Sequence, residues 1–266
     1  MVVCFLSDFG LQDDFVGTCH GVIARIAPEA RVIDVTHGIP AQAVLQGALV
    51  LANTLPYVPV GVHLAVVDPG VGGIRRPLAI RDREGRQFVG PDNGLLLPAA
   101  ERAGIDHVRE IANPVYALES ISRTFHGRDL FAPAAAHLAN GVPLDELGPP
   151  LAPDALVRLD LPEPVFADDG IEAVVLYVDS FGNIALNLTR DDLERIGVVP
   201  GARVELELAA QQRYYAVAAR TFADARAGDV ILYEDSYRNM SIAISNGDAA
   251  AMLHATSGQA IRIVPA

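Results

Sequence analysis

Along the first 140 residues, short β-branched runs alternate with stretches whose apolar positions recur every three to four residues. The former are VVCFL (2–6), RVIDV (31–35), GVHLAVV (61–67), PLAIRD (77–82) and RQFVG (86–90). The latter are DFVGTCHGVIARIA (14–27), AQAVLQGALVLANTL (41–55), GLLLPAAERAG (94–104) and LFAPAAAHLANG (130–141). That alternation predicts an α/β fold, a mainly parallel sheet between helices. From about Pro143 to Asp169, prolines and acids replace periodicity, as in an interdomain connection. We therefore place an α/β domain over 1–150, a linker over 151–169 and a second domain over 170–266. In the second domain IEAVVLYVD, IALNL, ARVELELA, RYYAVAA, DVILYED, MSIAIS and AIRIV read as strands and DDLERIG as a helix. This predicts a small antiparallel barrel or sandwich.

With 266 residues, 51% of them hydrophobic, the chain can bury a sizeable core. Its 33 acidic and 20 basic residues give a net charge of −13, which repels phosphate backbones and anionic membranes and attracts a cationic ligand. Nucleic acid and membrane are thereby set aside as partners, and a small molecule is expected. Cys4 and Cys19 lack the spacing of a metal knuckle or redox pair and read as buried reduced thiols. The chain enters its first strand without a basic leader, and no apolar run reaches the roughly 18 residues of a membrane span. The expectation is a soluble, cytoplasmic protein.

In an α/β sheet, ligands bind at the carboxyl ends of strands, and four polar clusters fall there. In SDFGLQDDF, Asp8 closes the first strand beside the Gly10 turn and suits a ribose diol; Asp14 reads better as an acid at a helix start. In VVDPGVGGIRR, Asp68 and Arg75 flank a Gly/Pro loop that lets backbone approach a ligand, or they pin the loop as an ion pair. GPDNGLL, with Asp92 and Asn93, reads as turn chemistry. In TFHGRDLF, His126 precedes a helix beginning near Asp129 and titrates near neutrality, whereas His137 reads as packing. A carboxylate, a guanidinium and an imidazole around one volume are equipment for activating water. No nucleophile elbow, P-loop or GxGxxG is present. A metal site of Asp and His ligands stays open as an alternative; against it, the adjacent arginine would repel the cation and no second histidine sits at ligand spacing.

Taken in order, SDFGLQDDFVG, VVDPGVGGIRR, GPDNGLL, TFHGRDLFAPAAAHLANG, DSFGN (179–183) and SNGDAA (245–250) resemble the S-adenosyl-L-methionine (SAM) hydroxide adenosyltransferases, the hydrolase branch of a family that also holds fluorinating and chlorinating enzymes. The resemblance implies hydrolysis of SAM to adenosine and methionine without metal or organic cofactor. It also implies an α/β N-domain, a β-barrel C-domain, and a homotrimer with active sites between protomers. It maps the water-activating residues onto Asp68, Arg75 and His126, leaving open whether Asp68 or His126 is the base. It assigns Asp8 to the ribose diol, Asp13 and Asp179 to the methionine ammonium, and Asn183 to adenine. Phe181 and Phe222 become lining rings, Ser236 the methionine carboxylate contact, and the main chain from Ile244 to Asn246 an adenine contact. The chain departs from the family pattern at Ala185 and Leu186, where threonine is usual, and at Arg238 and Ser241, where glycine and glutamate are common. Two other readings share the scaffold: a halogenase forming 5′-chloro-5′-deoxyadenosine, and a SAM or adenosine sensor without turnover.

Overall fold

Alternation within the first buried strands sets up two cores. In the computed structural model, which describes residues 1–208 and 212–266, β1 (Val2–Ser7) turns Val3 and Phe5 to one face and Leu6 to the other. Strand β3 (Val62–Val66) likewise sends Val62, Leu64 and Val66 one way and Ala65 the other. Helices α1 (Phe15–Ile26) and α4 (Ala132–Ala139) cover the first face; α2 (Val44–Thr54) and α3 (Leu97–Ala100) cover the second. Burial on both faces explains why these strands read as unbroken apolar runs.

The chain forms two compact units, Met1–Leu159 and Asp160–Ala266. The six-stranded sheet of the first has the order β2-β1-β3-β5-β4-β6, with β2 at Arg31–Thr36, β4 at Pro77–Asp82, β5 at Gln87–Pro91 and β6 at Ile105–Glu110. β2, β1, β3 and β5 are parallel, and β4 is antiparallel to both its neighbours. The α/β prediction holds, with two local differences. β6, not anticipated, is an edge strand whose charged residues mask its alternation. The helix read over 94–104 is one turn, because Gly94 and Gly104 both adopt left-handed φ and Leu95 and Leu96 are both buried before it starts.

In the second unit, β8 (Gly170–Val178), β9 (Ile184–Leu186), β10 (Arg203–Leu208), β11 (Gln212–Ala218), β12 (Val230–Glu234), β13 (Met240–Ile244) and β14 (Ala260–Pro265) close into a barrel through the β14–β8 ladder. Every second residue points inward, as with Val204, Leu206 and Leu208, which is the pattern that closure demands. The predicted barrel is present; its ladders are antiparallel except β11–β12, which is parallel over two residue pairs. Ala209, the end of one predicted strand, lies outside the described residues. A short β7 (Val165–Ala167) pairs with β8 inside the stretch read as a linker. Helix α5 (Arg190–Arg195) starts at a capping box in which Thr189 and Asp192 satisfy each other's backbone N–H. Both cysteines are buried, and burial pushes their thiols up to about 11 for Cys4 and about 12 for Cys19. Among the described residues no helix is long and apolar enough to cross a membrane.

Candidate active site

Because α1 follows β1 onto one face while α2 follows β2 onto the other, the sheet reverses its winding between β1 and β3. A crevice opens at such a point, beyond the strands' carboxyl ends. There the first unit carries a cavity of about 280 Å³, lined among others by Asp8, Gln42, Asp68, Phe125, His126 and Gly127.

Asp68 follows β3, and the loop after it doubles back through turns closed by Val71 N–H to the Asp68 carbonyl and Gly73 N–H to that of Gly70. Gly72 sits at φ +75°, with its α-carbon so close to the Arg123 carbonyl that a Cβ would lie 2.2 Å from the oxygen. Only glycine fits there, and the tight loop returns Arg75 to Asp68. Arg75 donates from Nε to both carboxylate oxygens at 3.1 Å and from Nη2 to Oδ2 at 2.6 Å. The same Nη2 donates to His126 Nδ1 at 2.7 Å. One guanidinium nitrogen thus uses its two hydrogens to join carboxylate and imidazole. The pair is well shielded, with side chains 10% and 6% exposed, and the guanidinium carbon lies 5.1 Å from the centre of the Phe131 ring.

His126 caps a π-helical turn, Gly127–Phe131, that leads into α4. Such turns recur at functional sites because they re-aim side chains. Beneath it the fully buried Asp129 accepts from Ser122 N–H at 2.8 Å and from Arg128, fastening the loop that carries His126. The His126 pKa is lowered by burial first and by the Arg75 charge second, against the pull of Asp68, Asp129 and the Ser122 carbonyl. The neutral ring accepts from Arg75 at Nδ1, so its proton resides on Nε2.

Asp8 joins this group: its Oδ2 accepts from Gln42 N–H at 2.9 Å, and Oδ1 faces no other protein donor among the hydrogen bonds described. Gln42 was not anticipated, since its left-handed φ of +66° leaves no trace in the residue type. Asp13 is exposed before α1 and is not among the cavity-lining residues. Asp92 is structural, accepting from Arg76 and from Val157 N–H, so the two consecutive arginines part, Arg75 to the cavity and Arg76 to the scaffold.

In the second unit the other candidates fall into two groups. Asp179 ties its own loop, accepting from Phe181 N–H and Asn183 N–H through Oδ1 and from the Asn183 amide through Oδ2. Phe181 is exposed, and Gly182 lies against Asp248. Phe222 packs 4.8 Å from Tyr233. Burial first, with the carboxylates of Asp179 and Asp235 adding to it, pushes the hydroxyls of Tyr177 and Tyr233 up to about 12. Asp179, Asp235 and these rings therefore share one neighbourhood, to which the exposed Ser236 is adjacent in sequence. Arg238, at φ +70°, occupies a left-handed turn position, a conformation that glycine adopts without strain. Ile244 is buried at the end of β13, and Asn246 follows at φ +59°.

Compared with known proteins, residues 3–148 match the family model of the SAM hydroxide adenosyltransferase N-terminal domain, and residues 173–262 that of the C-terminal domain. A Salinispora arenicola (strain CNS-205) protein named (R)-S-adenosyl-L-methionine hydrolase is 48% identical over 262 residues, 98% of this chain and 97% of that one. A fluorinase of Actinoplanes sp. (strain N902-109) is 29% identical over 268 residues, 91% and 90% of the two chains. The crystal structure of an uncharacterized conserved protein from Thermotoga maritima superposes with a TM-score of 0.90 at 35% identity, covering 98% of this chain and 99% of that one.

Proposed function

This chain belongs to the SAM hydroxide adenosyltransferase family, and from that premise we propose that it hydrolyses SAM to adenosine and L-methionine, with Asp68, Arg75 and His126 handling the water. The observation that carries the reading is the shared Arg75 Nη2, which locks a carboxylate and an imidazole together at the edge of the cavity. The name of the Salinispora relative extends the proposal to the (R) configuration at sulfur.

Water attacks C5′ in line with the C5′–S bond, whose electron pair passes to sulfur and releases methionine as a neutral thioether. No acid is needed for departure, and no metal or organic cofactor enters the reading. The water proton must go to a base. His126 presents Nε2–H, a donor, so we assign the base to Asp68 and give His126 the task of holding Arg75 in place. Arg75 stabilises hydroxide character as it develops, and alignment of water, C5′ and sulfur supplies much of the acceleration. Asp8, with Oδ1 open, takes the ribose diol. A carboxylate beside the attacking position repels a halide, which separates this reading from that of the fluorinase relatives.

Asp13 of the first unit and Asp179 of the second are read as partners of the methionine ammonium; in the second unit Asn183 and the Ile244–Asn246 main chain are read as adenine contacts, Phe181 and Phe222 as lining rings and Ser236 as the carboxylate contact. The net charge of −13 suits a sulfonium substrate in a soluble, cytoplasmic enzyme. We further propose a homotrimer with sites completed by neighbouring protomers; a monomer by light scattering with full activity would contradict it. The function itself is tested by chromatography after incubation with SAM and chloride in oxygen-18 water. Labelled adenosine plus methionine is expected, while a chlorinated nucleoside or intact SAM would overturn the reading.

A further inference from the structure

Outside the cavity, α1, the edge strand β2 and the residue that follows it bring together two imidazoles and a carboxylate. Asp34 Oδ1 lies 2.8 Å from His20 Nε2 and 3.0 Å from His37 Nε2. The ligand atoms of all three residues fall within 4.8 Å of one another. His20 and Asp34 are partly open to solvent, whereas the His37 side chain is 3% exposed, its ring edge-on to Phe5 at 4.6 Å. His37 Nε2 is fully buried and, for all its nearness to Asp34, is not aligned for a hydrogen bond and has no other partner among the described residues. Its other nitrogen, Nδ1, lies 2.7 Å from Ser7 Oγ. In the tautomer that donates Nδ1–H to this hydroxyl, which is the one a metal at Nε2 would select, the Nε2 lone pair faces the cluster. A hydrogen bond at the far ring nitrogen is what orients a metal-ligating histidine.

We propose that His20, Asp34 and His37 form a binding site for one divalent transition-metal ion of the zinc, cobalt or nickel class. Two imidazole nitrogens and one carboxylate oxygen suit those ions and not calcium or magnesium, which prefer all-oxygen shells. With metal–ligand bonds of about 2.1 Å, separations of 2.8 and 3.0 Å subtend angles of roughly 84° and 91° at the metal. Those are the cis angles of a five- or six-coordinate ion, with water in the remaining positions on the open side of His20 and Asp34. The site shares no residue with Asp68, Arg75 or His126 and takes no part in the hydrolytic step. Its effect is mechanical, because it clips α1 to the edge strand β2 beside the ribose end of the cavity. Ser7, whose hydroxyl meets His37 Nδ1, precedes Asp8, and the His37 carbonyl accepts from Gly10 N–H at 2.8 Å.

The test uses full-length, tag-free protein stripped with a chelator. Cobalt(II) titration followed by its visible d–d absorption, and zinc titration followed by calorimetry, should each show one ion per chain, and zinc should raise the melting temperature. His20→Ala and Asp34→Asn, whose folding is checked by their metal-free melting curves, should each weaken binding at least about tenfold. His107→Ala, which removes the exposed imidazole beside Asp106, should leave the titration unchanged. Absence of stoichiometric binding to the wild-type chain would overturn the proposal. So would an affinity that survives both His20→Ala and Asp34→Asn, or one lost in His107→Ala, since each places the ion elsewhere.

Discussion

If one nitrogen of Arg75 holds both Asp68 and His126, the two residues should fail as a unit. Asp68→Asn keeps the shape but exchanges a charged acceptor for an amide, weakening contacts at 2.6 and 3.1 Å that are worth about 1.5–3 kcal/mol each when charge-assisted. It also removes the proposed base. His126→Gln deletes the 2.7 Å acceptor on the same Nη2 and frees the guanidinium to turn. Loss of general-base function and alignment of this kind costs on the order of 10²–10⁴ in rate, so about 10³ is expected of each single variant, or ~4 kcal/mol. Independent contributions would multiply to roughly 10⁶ in the double variant. Members of one hydrogen-bonded device do not multiply, and the double variant should stay near the worse single, leaving a coupling energy of about 4 kcal/mol. Adenosine release under saturating SAM gives kcat for the four proteins, and calorimetry checks that SAM still binds. A multiplicative double variant, or either single variant within tenfold of wild type, would refute the shared-nitrogen account.

Three further outcomes follow from the surroundings. Because burial and Arg75 depress the His126 pKa below its usual 6.5, the fold favours the neutral ring; its bond to Arg75 is intact at neutral pH and is lost as pH falls through the folded pKa, so the acid limb of kcat should lie below 6.5, and an NMR titration of His126 above that value would contradict this. His63 is fully buried with both ring nitrogens unpartnered and its pKa pushed down to about 4, so stability should drain by about 3 kcal/mol as pH falls from 6.5 toward 4; His63→Met should flatten that decline in denaturant melts at pH 7 and 4.5, and parallel curves would dismiss it. Gly72→Ala meets both a left-handed φ and the Arg123 carbonyl and should cost more than the ~1–2 kcal/mol of strain expected for Gly85→Ala, which has φ +85° but open space, while also cutting turnover; equal melting temperatures for the two would show that the Arg75 loop does not need that close approach.

Where the hydrophobic period was clean, sequence and structure agree. β1 and β3 read as unbroken apolar runs because helices bury both faces, and β10 and β14 read as alternating because a barrel has an inside and an outside. β6 escaped because Asp106, Arg109 and Glu110 break up its apolar alternation: it is the last strand of the sheet, bordered on its outer side only by the irregular Pro149–Leu151 segment. The site divides in the same way. Asp68, the glycine loop and Arg75 are legible since they lie within eight residues, and a left-handed position that touches backbone admits only glycine. Gln42 is not legible, because its contribution is a backbone N–H offered to Asp8 from a conformation no side chain announces. Nor is the group formed by His20, Asp34 and His37: a helix residue and a strand residue fourteen positions apart meet only once α1 packs beside β2. Local chemistry can be read along a chain when a tight turn keeps its members together. Chemistry assembled by packing is written in the core residues that dock the elements, and Phe5, which fills the sheet beneath α1 while its ring supports His37, serves both purposes without resembling a site residue at all.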